Sequence, residues 1–520
     1  MKNIFKNITS DLSASVVVLL VAIPLCLGIA LGSGAPLFSG IIAGIVGGIV
    51  VGIASGSSLS VSGPAAGLTV IVATAILKLQ VFEAFLLAVV IAGVIQLILG
   101  YVKAGVIGDY IPNAVIKGML AAIGLILILK QVPHLIGYDA DFSGDENFSQ
   151  GNDENTFSGL WNAVNYITPS AVVIGGSALL ILIFWSRPVI SSNKWLQLVP
   201  APLLAVLAGT FINEAFKIYR PDYALELKHL VALPVAKDMG EFFSFFTFPN
   251  IDYLNNPDVW ITGITLAIVA SLETLLGIEA VDKLDPLKRV TPPNRELKAQ
   301  GIGNILSGLL GGLPLTSVVV RSSANVNAGA KTKLSAILHG VFMLLCVVFI
   351  PFVLNKIPLA ALAAILIFTG YKLAKVSLFK EFFQKGWDQF VPFVVTIAAI
   401  LITDLLKGIL IGIGVGLFYL IRSNFRSAVF IVNDDNKFLF RLRKDVSFLN
   451  KPIIKKTLED VPENAYVIID ATRADFIDKD VIEEINNFML HAHLKNISIE
   501  IKKSQFKAVH LLLNNPKTPF

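Results

Sequence analysis

The sequence predicts an α-helical polytopic membrane protein made of two related halves, followed by a small α/β domain. Three observations predict it. The 520-residue chain is 55% hydrophobic and 15% charged, with a mean hydropathy of +0.73, whereas an average globular protein is about 25% charged. Apolar runs long enough to cross a bilayer recur from Ala14 to about Leu420. Two matching interruptions break those runs, one in each half, and the composition changes after Arg426. A soluble fold of this size must still expose much of its surface to water, so a soluble enzyme, a nucleic-acid binder and a disulfide-built secreted domain are excluded. The net charge of +5 is spread out with no basic tract, which speaks against a polyanion partner. Cys26 and Cys346 each lie inside an apolar run and read as buried small hydrophobes rather than a bridge or a metal pair. The start, MKNIFKNITSDL, is too polar for a cleaved signal.

A helix needs about 20 apolar residues to span a bilayer. Candidate spans in the first half are 14–33, 36–55, 64–79, 81–101, 112–132, 168–187 and 196–213. The second half offers 259–281, 298–313, 321–332, 333–355, 358–376, 388–405 and 407–422, about fourteen segments in all. Segments 64–79 and 321–332 are too short to cross alone. Lys2, Lys6, Arg187, Lys194, Lys283, Lys288, Arg289, Arg295, Lys298, Lys372, Lys375, Lys380, Lys385, Arg422 and Arg426 fall on one side of this layout. The acidic stretch 138–160, with Asp139, Asp141, Asp145, Glu146, Asp153 and Glu154, falls on the other. The positive-inside rule then places both termini in the cytoplasm of a plasma-membrane protein. The membrane unit is expected over 1–427. Over 438–515, β-type runs (FLFRLR, AYVIIDA, ISIEIK) alternate with amphipathic stretches, which predicts a cytoplasmic α/β domain.

Glycines at four-residue spacing, Gly44, Gly48, Gly52 and Gly56 and then Gly408, Gly412 and Gly416, predict smooth faces for close helix packing. The two interruptions are SGSSLSVSGPAAGLTVIVATAI (55–76) and GLLGGLPLTSVVVRSSANVNAGAKT (308–332). Each runs from a Gly-rich helix through a short extended run (59–62, 315–320) into a small-residue helix start. Such paired breaks point to an inverted-repeat transporter with its site at mid-membrane. Unwound backbone is tolerated there only where it is buried in protein or lines a cavity. A half-helix N-terminus carries free N–H groups and roughly half a positive charge, so two that face each other form an anion site. Pro64 is expected at the first helix position, with Ala65, Ala66 and Gly67 exposing their N–H groups. Arg321, Ser322 and Ser323 are expected to open the second half-helix, adding a charge and two hydroxyls.

Glu273 stands mid-run in WITGITLAIVASLETLLGIEAV. A charge at that depth costs about 2.5–3.5 kcal/mol on insertion scales and usually faces a polar cavity. It serves either as a proton carrier or as part of a Na⁺ cage, or else bonds a neighbouring helix end. His339 reads as a helix-end residue. His491 and His493, two apart on one helix, are misplaced for a shared metal. GxxxxGK[ST], HExxH and GxSxG are absent, so neither direct ATP drive nor membrane hydrolysis has its usual signal.

SVSGPAAGLTV, GGLPLTSVVVRSSANVNAGAKT, the acid in SLETLL and the C-terminal α/β segment together resemble the SulP family of inorganic anion transporters, the sulfate permeases and their bicarbonate-transporting relatives. The resemblance implies a seven-plus-seven inverted repeat, core and gate domains, elevator-like alternating access, a homodimer and a C-terminal STAS domain with an unidentified cytoplasmic partner. It places the anion between Gly63–Gly67 and Val320–Ser323 and makes Glu273 the ion-coupling acid, with H⁺ or Na⁺ as the coupling ion and no other cofactor. Many members read Val-Pro-Gln-Gly in the first segment; here Ile23-Pro24-Leu25-Cys26 stands, so Leu25 lines the pocket where a polar group would. Where Na⁺-coupled relatives carry Asp and, four residues on, Thr, this chain has Glu273 and Gly277, which shifts weight from Na⁺ to H⁺. The STAS loop Asp478-Lys479-Asp480 lacks the phosphorylated Ser of related modules. The expected activity is secondary active transport of sulfate, with bicarbonate as the close competitor. A passive anion channel and a nucleobase permease on the same architecture are the further alternatives.

Overall fold

The computed structural model describes residues 7–141, 148, 155–187, 200–236, 238–504, 507 and 512–513, with backbone alone for 109, 239 and 422–428. Lys2, Lys6, Asp145, Glu146, Asp153, Glu154, Lys194 and the last residues of the expected 438–515 domain lie outside the described residues. The chain divides into two compact units, 1–413 and 414–520.

All fourteen expected segments are helices. In the first half they are α1 (Ile8–Gly32), α2 (Leu37–Ala54), α3 (Ala66–Leu79), α4 (Phe82–Tyr101), α5 (Asn113–Leu135), α6 (Pro169–Trp185) and α7 (Ala201–Tyr219). The second half has α8 (Pro257–Leu284), α9 (Pro293–Leu310), α10 (Val319–Asn327), α11 (Leu334–Phe349), α12 (Leu359–Leu373), α13 (Trp387–Ile402) and α14 (Leu405–Ala428). Packing follows a twofold rule. Helix α4 packs on α8 and α9, while α11 packs on α1 and α2. Helix α5 packs on α12 and α13, while α12 packs on α6. Exchanging each helix for the one seven places on turns each of these pairs into another of them, or for α5–α12 into itself, the signature of an inverted repeat. Two groups result: α1–α4 with α8–α11, and α5–α7 with α12–α14.

Glycines set the closest approaches. A Cβ on Gly48 of α2 would lie 2.7 Å from Gly340 Cα of α11, and a Cβ on Gly93 of α4 would lie 2.7 Å from Gly301 O of α9. Any side chain at these points would push the helices apart. The stripe Gly44–Gly48–Gly52 therefore faces α11, where Met343, Gly340 and Ile337 meet it. Gly408 and Gly412 likewise bring α14 onto Ile400 and Thr396 of α13.

The two interruptions meet. Strand β1 (Ser62–Pro64) pairs antiparallel with β2 (Leu315–Ser317), in the register Ser62–Ser317, Gly63–Thr316 and Pro64–Leu315. The boundaries differ from the sequence expectation. The first extended run is 62–64 rather than 59–62, so Pro64 ends a strand instead of opening a helix. The second run is 315–317, and α10 begins at Val319, two residues before Arg321. The cause is the ladder. Val318 N–H donates to Val61 O at 3.0 Å and completes the pairing, while its own carbonyl accepts from Ser322 N at 3.0 Å and starts the helix. Pairing alternates between bonded and non-bonded positions along an antiparallel ladder, so Pro64 needs no N–H there. Its partner Leu315 turns its polar backbone the other way, to Asn304. Leu315 N donates to Asn304 Oδ1 at 2.7 Å, and Asn304 Nδ2 donates to Leu315 O at 3.0 Å.

The C-terminal unit holds a four-stranded sheet in sequence order, β3 (Val429–Asp434), β4 (Lys437–Val446), β5 (Tyr466–Ile477) and β6 (Ser498–Lys502). The first pair is antiparallel and the next two are parallel. Helices α15 (Lys451–Glu459) and α16 (Lys479–His491) supply Ile454, Ile482 and Ile485 to a core shared with Phe440, Leu442, Val467 and Ile469. The expected strands and helices are all present, and Asp478 caps α16 through Asp480 N.

Candidate functional site

The β1–β2 ladder fixes where α3 and α10 begin, and both beginnings wall one cavity. Ala66 and Gly67 of α3 line it, as do Val319 and Val320 of α10 and Ser317 and Val318 before them. Val269, Glu273, Leu276 and Gly277 come from α8. The other helix group closes it with Met119 and Ile123 of α5 and Leu405, Leu406 and Ile409 of α14. About 30 Å³ is open to the centres of water molecules, room for about two waters at about 10–15 Å³ each.

Beyond Glu273 and Ser317, the polarity of this cavity comes from backbone. In α3 the first intrahelical bond is Leu68 N to Ala65 O, so the amides of Ala66 and Gly67 have no helical acceptor. In α10 it is Ser322 N to Val318 O, which leaves the amides of Val319, Val320 and Arg321. Two helix N-termini therefore present positive ends to a common space. Glu273 is placed beside one of them: a Cβ on Gly67 would lie 3.0 Å from its Oε1. Gly277, one turn on, lets β2 rest on α8, since a Cβ there would lie 2.5 Å from Ser317 O.

Of the residues singled out in the sequence, Ala66, Gly67 and Glu273 line the cavity, and Gly63, Ala65, Arg321, Ser322, Ser323 and Leu25 do not. Gly63 is the centre of β1 and presses on the guanidinium of Arg321, whose NH1 would lie 2.2 Å from a Cβ at that position. Arg321 is 0% exposed, and among the described residues its nitrogens meet no oxygen acceptor. Its charge therefore reaches the cavity as a field through low-dielectric protein rather than as a wall contact. Ser322 Oγ donates to Val318 O at 2.7 Å and accepts from Val61 N at 2.9 Å, and Ser323 Oγ donates to Val320 O at 2.8 Å. Both hydroxyls are occupied by backbone. Ala65 is buried at the strand–helix joint and Leu25 in the helical core. His339, expected at a helix end, is fully buried, with Nδ1 2.5 Å from Ala336 O.

Sequence reasoning missed the side chains that hold the ladder. Gln300 Nε2 donates to Ser62 Oγ at 2.7 Å and to Glu296 Oε1 at 3.1 Å, and Ser55 Oγ donates to Glu296 Oε2 at 2.5 Å. Asn304 bonds Gln96 of α4 as well as Leu315. Ser60 and Ser317 share a bond of 2.6 Å, and Asn325 Nδ2 donates to Leu59 O at 2.9 Å. The available signal was Glu296, Gln300 and Asn304 at four-residue steps, which places three polar side chains on one face of α9.

Comparison with known proteins agrees with this architecture. YvdB of Bacillus subtilis (strain 168), which carries a sulfate-transporter name, is 28% identical over 395 residues, covering 75% of this chain and 69% of that one. The solved transmembrane domain of the cyanobacterial bicarbonate transporter BicA superposes with a TM-score of 0.52 at 22% identity, over 79% of this chain and 98% of that one. The structure of the murine Slc26a9 anion transporter superposes with a TM-score of 0.63 at 14% identity, over 95% and 85% of the two chains. Residues 8–399 match the sulfate permease family, and the chain belongs to that family of membrane anion transporters.

Proposed function

We propose that this protein is a secondary active transporter of an inorganic anion, sulfate in the first place, driven by H⁺ or Na⁺. The observation that carries the reading is the convergence of two helix N-termini on a cavity at the junction of two helix groups, with Glu273 beside one tip. The anion would be held by the amides of Ala66, Gly67, Val319 and Val320, with Arg321 supplying the balancing charge from behind. Alternating access follows if the α1–α4/α8–α11 group slides as a body against the other, carrying the ladder and both tips. Glu273 supplies the coupling. Ionised, it places a negative charge where the α3 tip would receive the anion; protonated, it leaves that tip free. Gly277 offers no side-chain oxygen for Na⁺, which favours H⁺. Both termini in the cytoplasm, a plasma-membrane location and a homodimer belong to the same reading.

Bicarbonate is the second reading. The likeness to the BicA transmembrane domain supports it, as does a cavity whose side-chain lining is apolar apart from Glu273 and Ser317, with space for about two waters, which suits a small monoanion better than a strongly hydrated dianion. The deciding experiment is uptake of labelled sulfate and of labelled bicarbonate into proteoliposomes under imposed pH or Na⁺ gradients. Accumulation of one anion above its equilibrium level supports the proposal and names the substrate and coupling ion. Flux that only equilibrates would make the protein a channel. Uptake of uracil in place of either anion would make it a nucleobase permease.

A further inference from the structure

A second cluster stands at the face of the helical unit on which α1 ends. Asp139, just beyond α5, lies between two histidines. Nδ1 of His134 is 2.5 Å from Oδ1, and Nδ1 of His229, in the turn Leu227–His229, is 2.5 Å from Oδ2. The three side chains are 4–8% exposed. An ionised carboxylate only accepts, so each ring carries its hydrogen on Nδ1, and an added proton goes to the Nε2 lone pair. Burial pushes the Asp139 carboxyl up, but the bonds from the two imidazoles outweigh it and hold the group below the usual carboxylate range. Asp139 therefore stays ionised where imidazoles titrate.

The cluster pins the segment 225–233, which is anchored from the far side as well. Val231 N donates to Ile357 O at 3.0 Å and Leu233 N to Asn355 Oδ1 at 2.7 Å. Leu230 and Val231 are buried in the same core as Leu25 and Leu27 of α1. A cavity with ≈ 210 Å³ open to water centres separates the segment from α1; Leu27 and Gly28 line one side, and Asp139 and Asp141 the other. The segment thus covers the junction between the two helix groups at this face. Among the described residues, the other charges here are paired: Lys130 with Asp141 at 3.4 Å and Lys228 with Glu226 at 2.8 Å. Helices α1 and α12 contribute only apolar side chains to the cavity, and Tyr138 and Tyr166 stack over its neighbour.

We propose that His134, Asp139 and His229 form a proton-binding site whose occupancy sets how firmly the segment 225–233 closes over α1. Protons from the water at that face convert imidazole–carboxylate bonds into imidazolium–carboxylate bonds, which are about twice as strong. The cluster passes from one negative charge to one positive charge. Acidification therefore holds this face shut. This rests on the reading that the two helix groups move against each other, but it needs no particular anion.

The test is substrate-free. Leu27→Cys is introduced with Cys26→Ala and Cys346→Ala, and labelling by a membrane-impermeant maleimide in proteoliposomes is followed from pH 8 to 5.5, normalised to Leu227→Cys at the exposed turn. Labelling of Leu27→Cys should fall at least about fivefold on acidification, the effect of strengthening even one of the two bonds by about 1 kcal/mol, and should stay flat in His134→Gln/His229→Gln. Asp139→Asn, which removes the acceptor charge, carries the same expectation if the double variant does not fold. A parent rate that ignores pH, or parallel profiles in parent and variants, overturns the proposal. Because no anion is present, that failure leaves the transport reading standing, and failed uptake leaves this result standing.

Discussion

Replacing Gly67 by Ala tests the cavity with a single methyl group. The new Cβ would lie 3.0 Å from Glu273 Oε1, 3.3 Å from Cδ and 3.4 Å from Oε2. That is a few tenths of an ångström inside ordinary contact, so the carboxylate must shift or the α3 tip must lift. The methyl also intrudes on a space of about 30 Å³, about half of which it removes if it displaces one of two waters. Gly67 does not use a left-handed backbone, and Ala is favoured over Gly in a helix by about 1 kcal/mol, so stability should hold or rise slightly. Anion affinity should fall about tenfold, or about 1.4 kcal/mol. The assay is equilibrium binding of labelled anion to purified protein, with thermal melting as the control. Adding Glu273→Asp, which draws the carboxylate back by one methylene, should recover part of the loss. Unchanged affinity in Gly67→Ala would show that the anion does not sit between the α3 tip and Glu273.

Glu273→Gln should abolish gradient-driven accumulation while anion exchange persists, measured as uptake against counterflow in the same proteoliposomes. Arg321→Ala should weaken anion binding at least tenfold at low and at physiological salt alike, read by equilibrium binding, because a buried charge acting through protein is poorly screened; unchanged affinity would remove it from the site. Asn304→Ala should orphan the backbone N–H and C=O of Leu315, each worth about 1–3 kcal/mol when buried and unpaired. It should lower the melting temperature by several degrees and raise the anion KM, since the register of both helix tips loosens.

Much of this site was legible because its chemistry is local. Ser-Gly-Pro-Ala-Ala-Gly and the Ser-Val-Val-Val-Arg run cannot continue apolar helices without interruption, and a carboxylate in the middle of SLETLL has few places to go in lipid. Those three segments do converge, at Ala66, Gly67, Val319, Val320 and Glu273. Arg321 was harder to place. Its side chain direction depends on a two-residue shift in where α10 starts, and that start is set by Val318 bonding Val61 across 257 positions of sequence. Ser322 and Ser323 were similarly free to face the cavity on paper, and backbone carbonyls claimed both.

Hydrophobic run length, the repeated interruptions and the change of composition after Arg426 suffice for the fold class and the fourteen helical segments, because each is dictated by how a short stretch partitions between lipid and water. The pairing of β1 with β2, the role of Asn304 as a surrogate strand and the meeting of Asp139 with His229 are tertiary facts. Each joins groups far apart in the chain, and the partner of a buried hydrogen bond is selected by packing, which leaves no mark on the local sequence.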